Sequence, residues 1–162
     1  MKARWTILVV ALLVAMSGFL WYRWKQDEPR RNCVQTLQQL VTALQSADHA
    51  ILLDTIVLPQ AVQGRTAPEQ VEFLNKALQD EVSPEGIAVL KKEGVFGPLK
   101  DLFPTEAEKW AKQAGAKSDD CVTFKMERAG ICAEVVLLRE GQTYRVVRCN
   151  NVKQMAPVRQ DA

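Results

Sequence analysis

The sequence predicts an α+β protein: an N-terminal transmembrane helix, then several short helices packed on a three-stranded antiparallel β-meander. Three observations predict this fold class. An uncharged run stands near the N-terminus, apolar residues then recur at the helical period, and the period changes to two after residue 118. The chain has 162 residues, of which 48% are hydrophobic and 25% charged, so it can form one domain with a core.

The predicted divisions of the chain follow these changes in pattern. Residues 1–25 form a signal-anchor helix and residues 26–31 a linker. Residues 32–118 and 119–152 form the helical part and the β-meander of one globular domain, and residues 153–162 form a flexible tail.

The uncharged run extends from Trp5 to Tyr22 and has basic residues on both sides. At about 1.5 Å per residue it measures roughly 27 Å, close to the thickness of the hydrocarbon core of a bilayer. Tryptophans at both ends stand where an aromatic belt belongs. A cleaved signal peptide with a site at Ala15-Met16-Ser17 is the alternative, but the apolar run continues past that site. An uncleaved anchor accounts for the whole run, so we expect membrane binding through residues 5–22.

Charge and cysteine content predict the location of the domain and exclude one class of partner. Residues 1–22 carry two basic groups and no acid, so the net charge of +2 leaves the body from Arg23 neutral. A neutral body without a basic stripe excludes nucleic acid as a partner. Basic residues on both sides of the run leave the orientation open, but four cysteines in a small body favour an oxidising compartment. We therefore expect an extracytoplasmic, periplasmic domain.

Helices are predicted over most of the first two thirds of the body. Apolar residues recur at helical spacing over residues 34–44, and the segment "HAILLDTIVL" predicts a second, shorter helix. Residues 66–69 and 105–108 have the spacing of capping boxes, and Ser83-Pro84 begins a further helix that ends at Gly94. The segment "VFGPLKDLF" predicts a turn and a short helix.

Residues 121–128, 131–138 and 143–150 are rich in β-branched and aromatic residues and are separated by glycine-containing pairs. This pattern predicts two tight hairpins, centred on Ala129-Gly130 and Glu140-Gly141. One face of the resulting sheet collects apolar side chains: Val122, Phe124, Met126, Ile131, Ala133, Val135, Leu137, Tyr144 and Val146. Helices that cover a curled sheet are similar in layout to NTF2-like or cystatin-like cones, and layout alone implies no family membership.

The second predicted hairpin places Cys132 directly opposite Cys149. Counted from the turn, this is a non-hydrogen-bonded pair, in which the Cα atoms approach to about 4.5 Å, at the short end of the range for a disulfide. We therefore expect a Cys132–Cys149 disulfide. No spacing predicts a pairing for Cys33 and Cys121, and the alternative is that all four cysteines are reduced and lie in apolar surroundings.

No set of residues in the sequence assembles a catalytic or metal site. His49 is the only histidine, and the cysteines lack both the spacing of zinc ligands and a Cys-x-x-Cys motif. We therefore expect no metal, no cofactor and no catalytic residue.

Two binding regions are predicted on the sheet. The first is an apolar strip with one arginine on the mostly polar face, either covered by the first helix or open to a partner: Val136, Leu138, Val147 and Arg145. The second is a pocket between the helices and the apolar face, lined by Trp110, Phe124, Met126 and Tyr144. Arg128 and Arg148, at the ends of the apolar face, are the ionisable candidates for that pocket.

The predicted function is that of a membrane-anchored extracytoplasmic domain without a catalytic role, which binds a protein partner in the cell envelope. The alternative is a small-ligand carrier or minor enzyme that uses the pocket between helices and sheet. A pocket function needs a cavity with a polar or ionisable group pointing into it, whereas a filled core excludes it.

Overall fold

A computed structural model describes the backbone of residues 2–157 and the side chains of residues 10–157. The helices are α1 (Lys2–Gln26), α2 (Glu28–Ser46), α3 (His49–Thr55), α4 (Ala67–Gln79), α5 (Pro84–Glu93), α6 (Leu99–Leu102) and α7 (Ala107–Gln113). The strands are β1 (Val95–Pro98), β2 (Cys121–Arg128), β3 (Ile131–Glu140) and β4 (Thr143–Asn150). Short 3₁₀ turns lie at Ser118–Asp120 and Val152–Met155. The chain divides into two units, residues 1–31 and residues 32–162.

The first unit contains α1, whose described side chains are exposed. Basic groups near its end lie over aromatic rings one turn away: the guanidinium of Arg23 is 5.7 Å from the ring centroid of Phe19, and the ammonium of Lys25 is 5.6 Å from that of Trp21. These are helical neighbours at i and i+4, which meet on one side of a helix.

The prediction of a transmembrane helix is wrong. Among the residues that the structure describes, no helix is both long and apolar enough to cross a membrane. The predicted membrane-binding segment, residues 5–22, begins among residues whose side chains lie outside the described ones.

Helix ends in the second unit follow the capping residues. The Glu69 carboxylate accepts from both the backbone N–H (2.9 Å) and the hydroxyl (2.8 Å) of Thr66, which closes the predicted capping box at the start of α4. These bonds, backbone first, lower the pKa of Glu69. The Ser83 hydroxyl accepts from the Gly86 N–H at 3.0 Å and begins α5. The second predicted capping box does not form, because Glu108 accepts from the Ser118 hydroxyl instead.

Over residues 2–157 the sheet has four antiparallel strands in the order β1-β2-β3-β4, so the prediction of three strands is wrong. The missed strand is β1, where Phe96 pairs with Phe124 and their ring centroids lie 4.8 Å apart. A four-residue segment that contains glycine and proline does not read as a strand. An edge strand tolerates both residues, because one side of it needs no hydrogen-bonding partner.

The register across the first hairpin is the predicted one, with Thr123 opposite Val136. Ala129 (φ 51°) and Gly130 (φ 78°) form its turn, and both have the positive φ that a type I′ turn requires. In the second turn Gly141 (φ 68°) stands first rather than second, as in a type II′ turn, so Glu140 pairs with Thr143. The predicted register of this hairpin is therefore wrong.

A β-bulge at Val147 changes the register again. Leu137 pairs with Val146, but the next residue of β3, Val136, pairs with Arg148, which leaves Val147 as the extra residue. One inserted residue exchanges the two faces for everything that follows it on the strand. Arg148 therefore lies on the face of Val136, and Cys149 lies on the face of Val135.

Each face of the sheet carries its own group of buried side chains. The first face, which holds Phe124 and Leu137, is covered by apolar residues of α2, α3, α4 and α5. The second face, which holds Val136, is covered by a smaller group from α6, α7 and the segment between them: Leu99, Phe103, Ala107 and Ala111. The α+β class is confirmed, and the helices lie on both faces of the sheet rather than on one.

The segment after β4 packs on the helices as part of the domain. Val152 and Met155 are buried, and the Lys153 N–H donates to the Glu81 carbonyl at 2.8 Å. Gly86 permits this close approach, because a Cβ at that position would overlap the Val152 carbonyl oxygen. The predicted flexible tail starts at residue 153, so its first residues are ordered, and its last five lie outside the described residues.

Candidate functional site

The predicted disulfide is wrong. All four cysteines are free. Cys132 packs with the side chains on the second face of the sheet, whereas Cys149 packs with those on the first face. The bulge at Val147 turns Cys149 to that side, so the two cysteines are separated by the thickness of the sheet.

Burial raises the pKa of every cysteine thiol. Desolvation raises the pKa of Cys33 and of Cys149 to about 12 and that of Cys121 to about 11. The Cys132 pKa is also raised, by desolvation first and then by the negative charge of Glu134. A nucleophilic cysteine needs a lowered pKa, so these thiols have the character of small core residues.

The predicted pocket does not assemble. Phe124 is fully buried and, with Tyr144 and Met126, belongs to the packed core on the first face. Trp110 packs on the second face with Phe103, where the two ring centroids are 5.0 Å apart. The predicted pocket combined Trp110 with Phe124 because all helices were expected to cover the same face of the sheet.

The predicted partner strip is partly buried. Val136 is fully buried beneath α6 and α7, and Leu138 and Val147 are half-buried at the edge of the same group. The covering helices are thus α6 and α7, not the first helix. Arg145 donates to the carbonyl of Ile56 at 2.6 Å and to those of Leu53 and Asp54 at 3.2 and 3.0 Å, so it caps the end of α3.

A polar cluster centred on Arg148 lies where the cover of the second face ends. The Arg148 Nε donates to the Glu134 carboxylate at 3.0 Å, and the Asn150 side chain donates to the other carboxylate oxygen at 3.2 Å. Only 4% of the Glu134 side chain is exposed, against 38% of Arg148. The guanidinium of Arg148 lies 4.8 Å from the ring centroid of Trp110, a cation–π contact. A buried acid thus holds a half-exposed arginine over the ring of a tryptophan.

Two open clefts border this arginine–tryptophan pair. The first, of about 410 Å³, is the bulge cleft, lined by Val57, Pro59, Gln60, Ala61, Trp110, Gln113, Ala114, Val147 and Arg148. The second, of about 460 Å³, is the polar cleft, lined by Phe103, Glu106, Trp110, Gly130, Ile131, Cys132, Glu134, Arg148, Asn150, Asn151 and Gln154. Arg148 and Trp110 line both clefts, so the pair is shared between them.

A third cleft, of about 520 Å³, lies between α3 and α4. It is lined mainly by apolar groups and is bordered by His49, Glu72 and Asn75. His49 lies there beside exposed helix surface, with no other histidine in the chain to form a ligand pair. Among the described residues, no group of three or more histidine, cysteine or acidic side chains is arranged to hold a metal ion.

The sequence predicted Arg148 as an ionisable group of a pocket, but on the wrong face of the sheet. It did not predict that Glu134 pairs with this arginine. One signal was present: Glu134 was an acid on a face that also held three apolar side chains. The bulge that brings Arg148 to it leaves no mark in the hydrophobic pattern of β4. Comparison with family models, with curated proteins and with solved structures found no match.

Proposed function

We propose that this protein is a non-catalytic binding domain that recognises a protein partner through the arginine–tryptophan pair and the bulge cleft beside it. The observation that carries the proposal is the cation–π contact between Arg148 and Trp110 at the border of two open clefts. Tryptophan and arginine are the residues most enriched among those that dominate binding energy at protein interfaces.

The fixed positions of Arg148 and Trp110 support a role for this pair in binding a partner. Glu134 is buried and fixes the Nε side of the guanidinium, while the rest of Arg148 extends into the clefts. Packing of Trp110 on Phe103 fixes the indole in the same way. Side chains that are ordered before binding lose little conformational entropy when a partner arrives, which favours affinity.

The support for a non-catalytic role comes from the ionisable groups. All four thiols have raised pKa values, so they are protonated at neutral pH and poor nucleophiles. The only histidine borders the cleft between α3 and α4, and it lines neither of the clefts at Arg148. The small-ligand alternative needed a pocket around Phe124, where the side chains are packed into a core. An extracytoplasmic location and a partner in the cell envelope stay predictions of the sequence.

Site-specific photo-crosslinking in cells tests the proposal. A photoreactive amino acid at Gln113, an exposed residue of the bulge cleft, should give a defined adduct with one protein after irradiation. The same amino acid at Asn75, in the cleft between α3 and α4, is the matched control and should give none.

Two further variants make the crosslinking result specific. Trp110→Ala in the Gln113 probe protein should reduce the adduct by about tenfold or more, as expected for a residue that dominates binding. Arg148→Gln, combined with Glu134→Gln so that no buried charge is left unpaired, should do the same. An adduct from the Asn75 probe alone, or a Gln113 adduct that both substitutions leave unchanged, would contradict the proposal.

A further inference from the structure

The bulge cleft differs from the polar cleft in the charge of its lining. Among the residues that the structure describes, the polar cleft is bordered by Glu106 and Glu134, whereas the bulge cleft is lined by one cation, Arg148, and by no acid. The lining therefore presents one positive charge, which Glu134 partly neutralises at 3.0 Å from the Arg148 Nε. Charge complementarity therefore favours an anionic group in the bulge cleft.

The polar groups of the bulge cleft are also rich in hydrogen-bond donors. The indole N–H of Trp110, the Gln113 carboxamide and the Nη groups of Arg148 have no hydrogen-bond acceptor among the residues that the structure describes. An indole and a guanidinium donate only, and a carboxamide both donates and accepts. The complementary ligand is one that presents many acceptors, such as a peptide backbone or a carboxylate.

The wall formed by β4 favours an extended ligand. β4 is an edge strand of the sheet. On its outer side, the described residues contribute one parallel bridge, between Ile56 and Val146. In this bridge the Val57 N–H donates to the Val146 carbonyl at 2.8 Å. Pro59 follows shortly and has no N–H, which stops this pairing before it reaches Arg148. An edge strand with an interrupted neighbour is a surface to which an extended chain can bind.

We infer that the bulge cleft binds an extended, acidic peptide segment of the partner, with one of its carboxylates on the Nη groups of Arg148 and apolar side chains against Trp110 and Val147. This inference rests on the proposed function and names the chemistry of the partner. Glu134 then has a second effect: it orients Arg148 but also neutralises part of the charge that the peptide carboxylate meets.

A random decapeptide library with blocked ends, selected on the full-length protein and counter-selected on Trp110→Ala, tests the inference. The enriched sequences should carry Asp or Glu. A selected peptide should lose about tenfold in affinity when that acid is changed to Asn or Gln. Affinity is read from the ¹⁵N-indole resonance of Trp110, assigned with Trp110→Phe.

Paired variants separate binding by Arg148 from a merely structural role. Glu134→Gln removes the competing charge but keeps an oxygen that accepts from the Arg148 Nε, so the arginine stays oriented and the acidic peptide should bind about three- to tenfold more tightly. Glu134→Gln with Arg148→Gln leaves no buried unpaired charge, so it should fold, and it should bind the acidic and the amide peptides equally. The unfolding midpoint in urea serves as the check on folding.

Three results would overturn the inference. They are enrichment of neutral or basic peptides, weaker rather than tighter binding by Glu134→Gln, or no enriched peptide at all. In each case a Trp110-dependent adduct from the Gln113 crosslinker would still support the proposed function, with a partner of other chemistry. Loss of that adduct together with these results would remove both.

Discussion

The two faces of the sheet differ in how completely they are covered. On the first face, residues of α2 to α5 enclose Phe124, which is fully buried. On the second face, the short helices α6 and α7 cover Val136 but leave Trp110 and Arg148 half-exposed. The more fully covered face contributes more to stability, whereas the less covered face retains donors and an aromatic surface that a partner can use.

One residue of β4 decides which side chains lie on each face at this end of the sheet. The strand alternates regularly up to Val146, so its side chains there support the first face. Val147 is the bulged residue, and beyond it a charged side chain faces α7 and a cysteine faces the core. Bulges often occur beside binding sites, because they redirect side chains without breaking the sheet.

Truncation of one aromatic side chain on each face should give the largest difference in stability. Phe124→Ala should cost about 3–5 kcal/mol in the free energy of unfolding, the range for a fully buried aromatic. Trp110→Ala should cost only about 1–2 kcal/mol, because a half-exposed ring loses less buried area. Urea denaturation of the full-length variants measures both. Equal costs for the two substitutions would mean that the faces do not differ in packing.

The cysteines should distinguish the faces by reactivity. In the native protein at pH 8, iodoacetamide should modify Cys132 before Cys149, because desolvation raises the pKa of Cys149 to about 12. A pKa near 12 in place of the ordinary 9.0 reduces the Cys149 thiolate by roughly a thousandfold, and its reaction should accelerate as the pH rises. Peptide mapping by mass spectrometry identifies the sites.

The same experiment tests the state of the cysteines. In denaturant without a reducing agent, all four should react, because all four are free. A Cys132–Cys149 linkage found in peptide maps would contradict the register of β4 described above.

The sequence predicted those parts of the fold that depend on local signals. The capping box at Thr66 and the turn at Ala129-Gly130 need only neighbouring residues, and the structure confirms both. β1 was missed because an edge strand of four residues gains its stability from pairing with β2, which is a long-range contact.

The candidate site was harder to predict for the same reason. The pattern of β4 fits a regular strand, and nothing local marks Val147 as an extra residue. The bulge is visible only in the pairing of β4 with β3, which is a contact between strands and not a property of β4 alone. A regular β4 puts Arg148 on the opposite face of the sheet. The sequence pattern therefore predicts neither the pairing of Glu134 with Arg148 nor the contact of Arg148 with Trp110.

The division of stability and binding between the two faces is tested most directly by two measurements on the same variants: the amount of adduct formed by the Gln113 crosslinker and the unfolding midpoint. The account predicts that Trp110→Ala reduces the adduct about tenfold or more while the protein stays folded. Phe124→Leu, a smaller change than Phe124→Ala, should lower the unfolding midpoint and leave the adduct intact. A Trp110→Ala protein that is folded and forms the full amount of adduct would contradict the account.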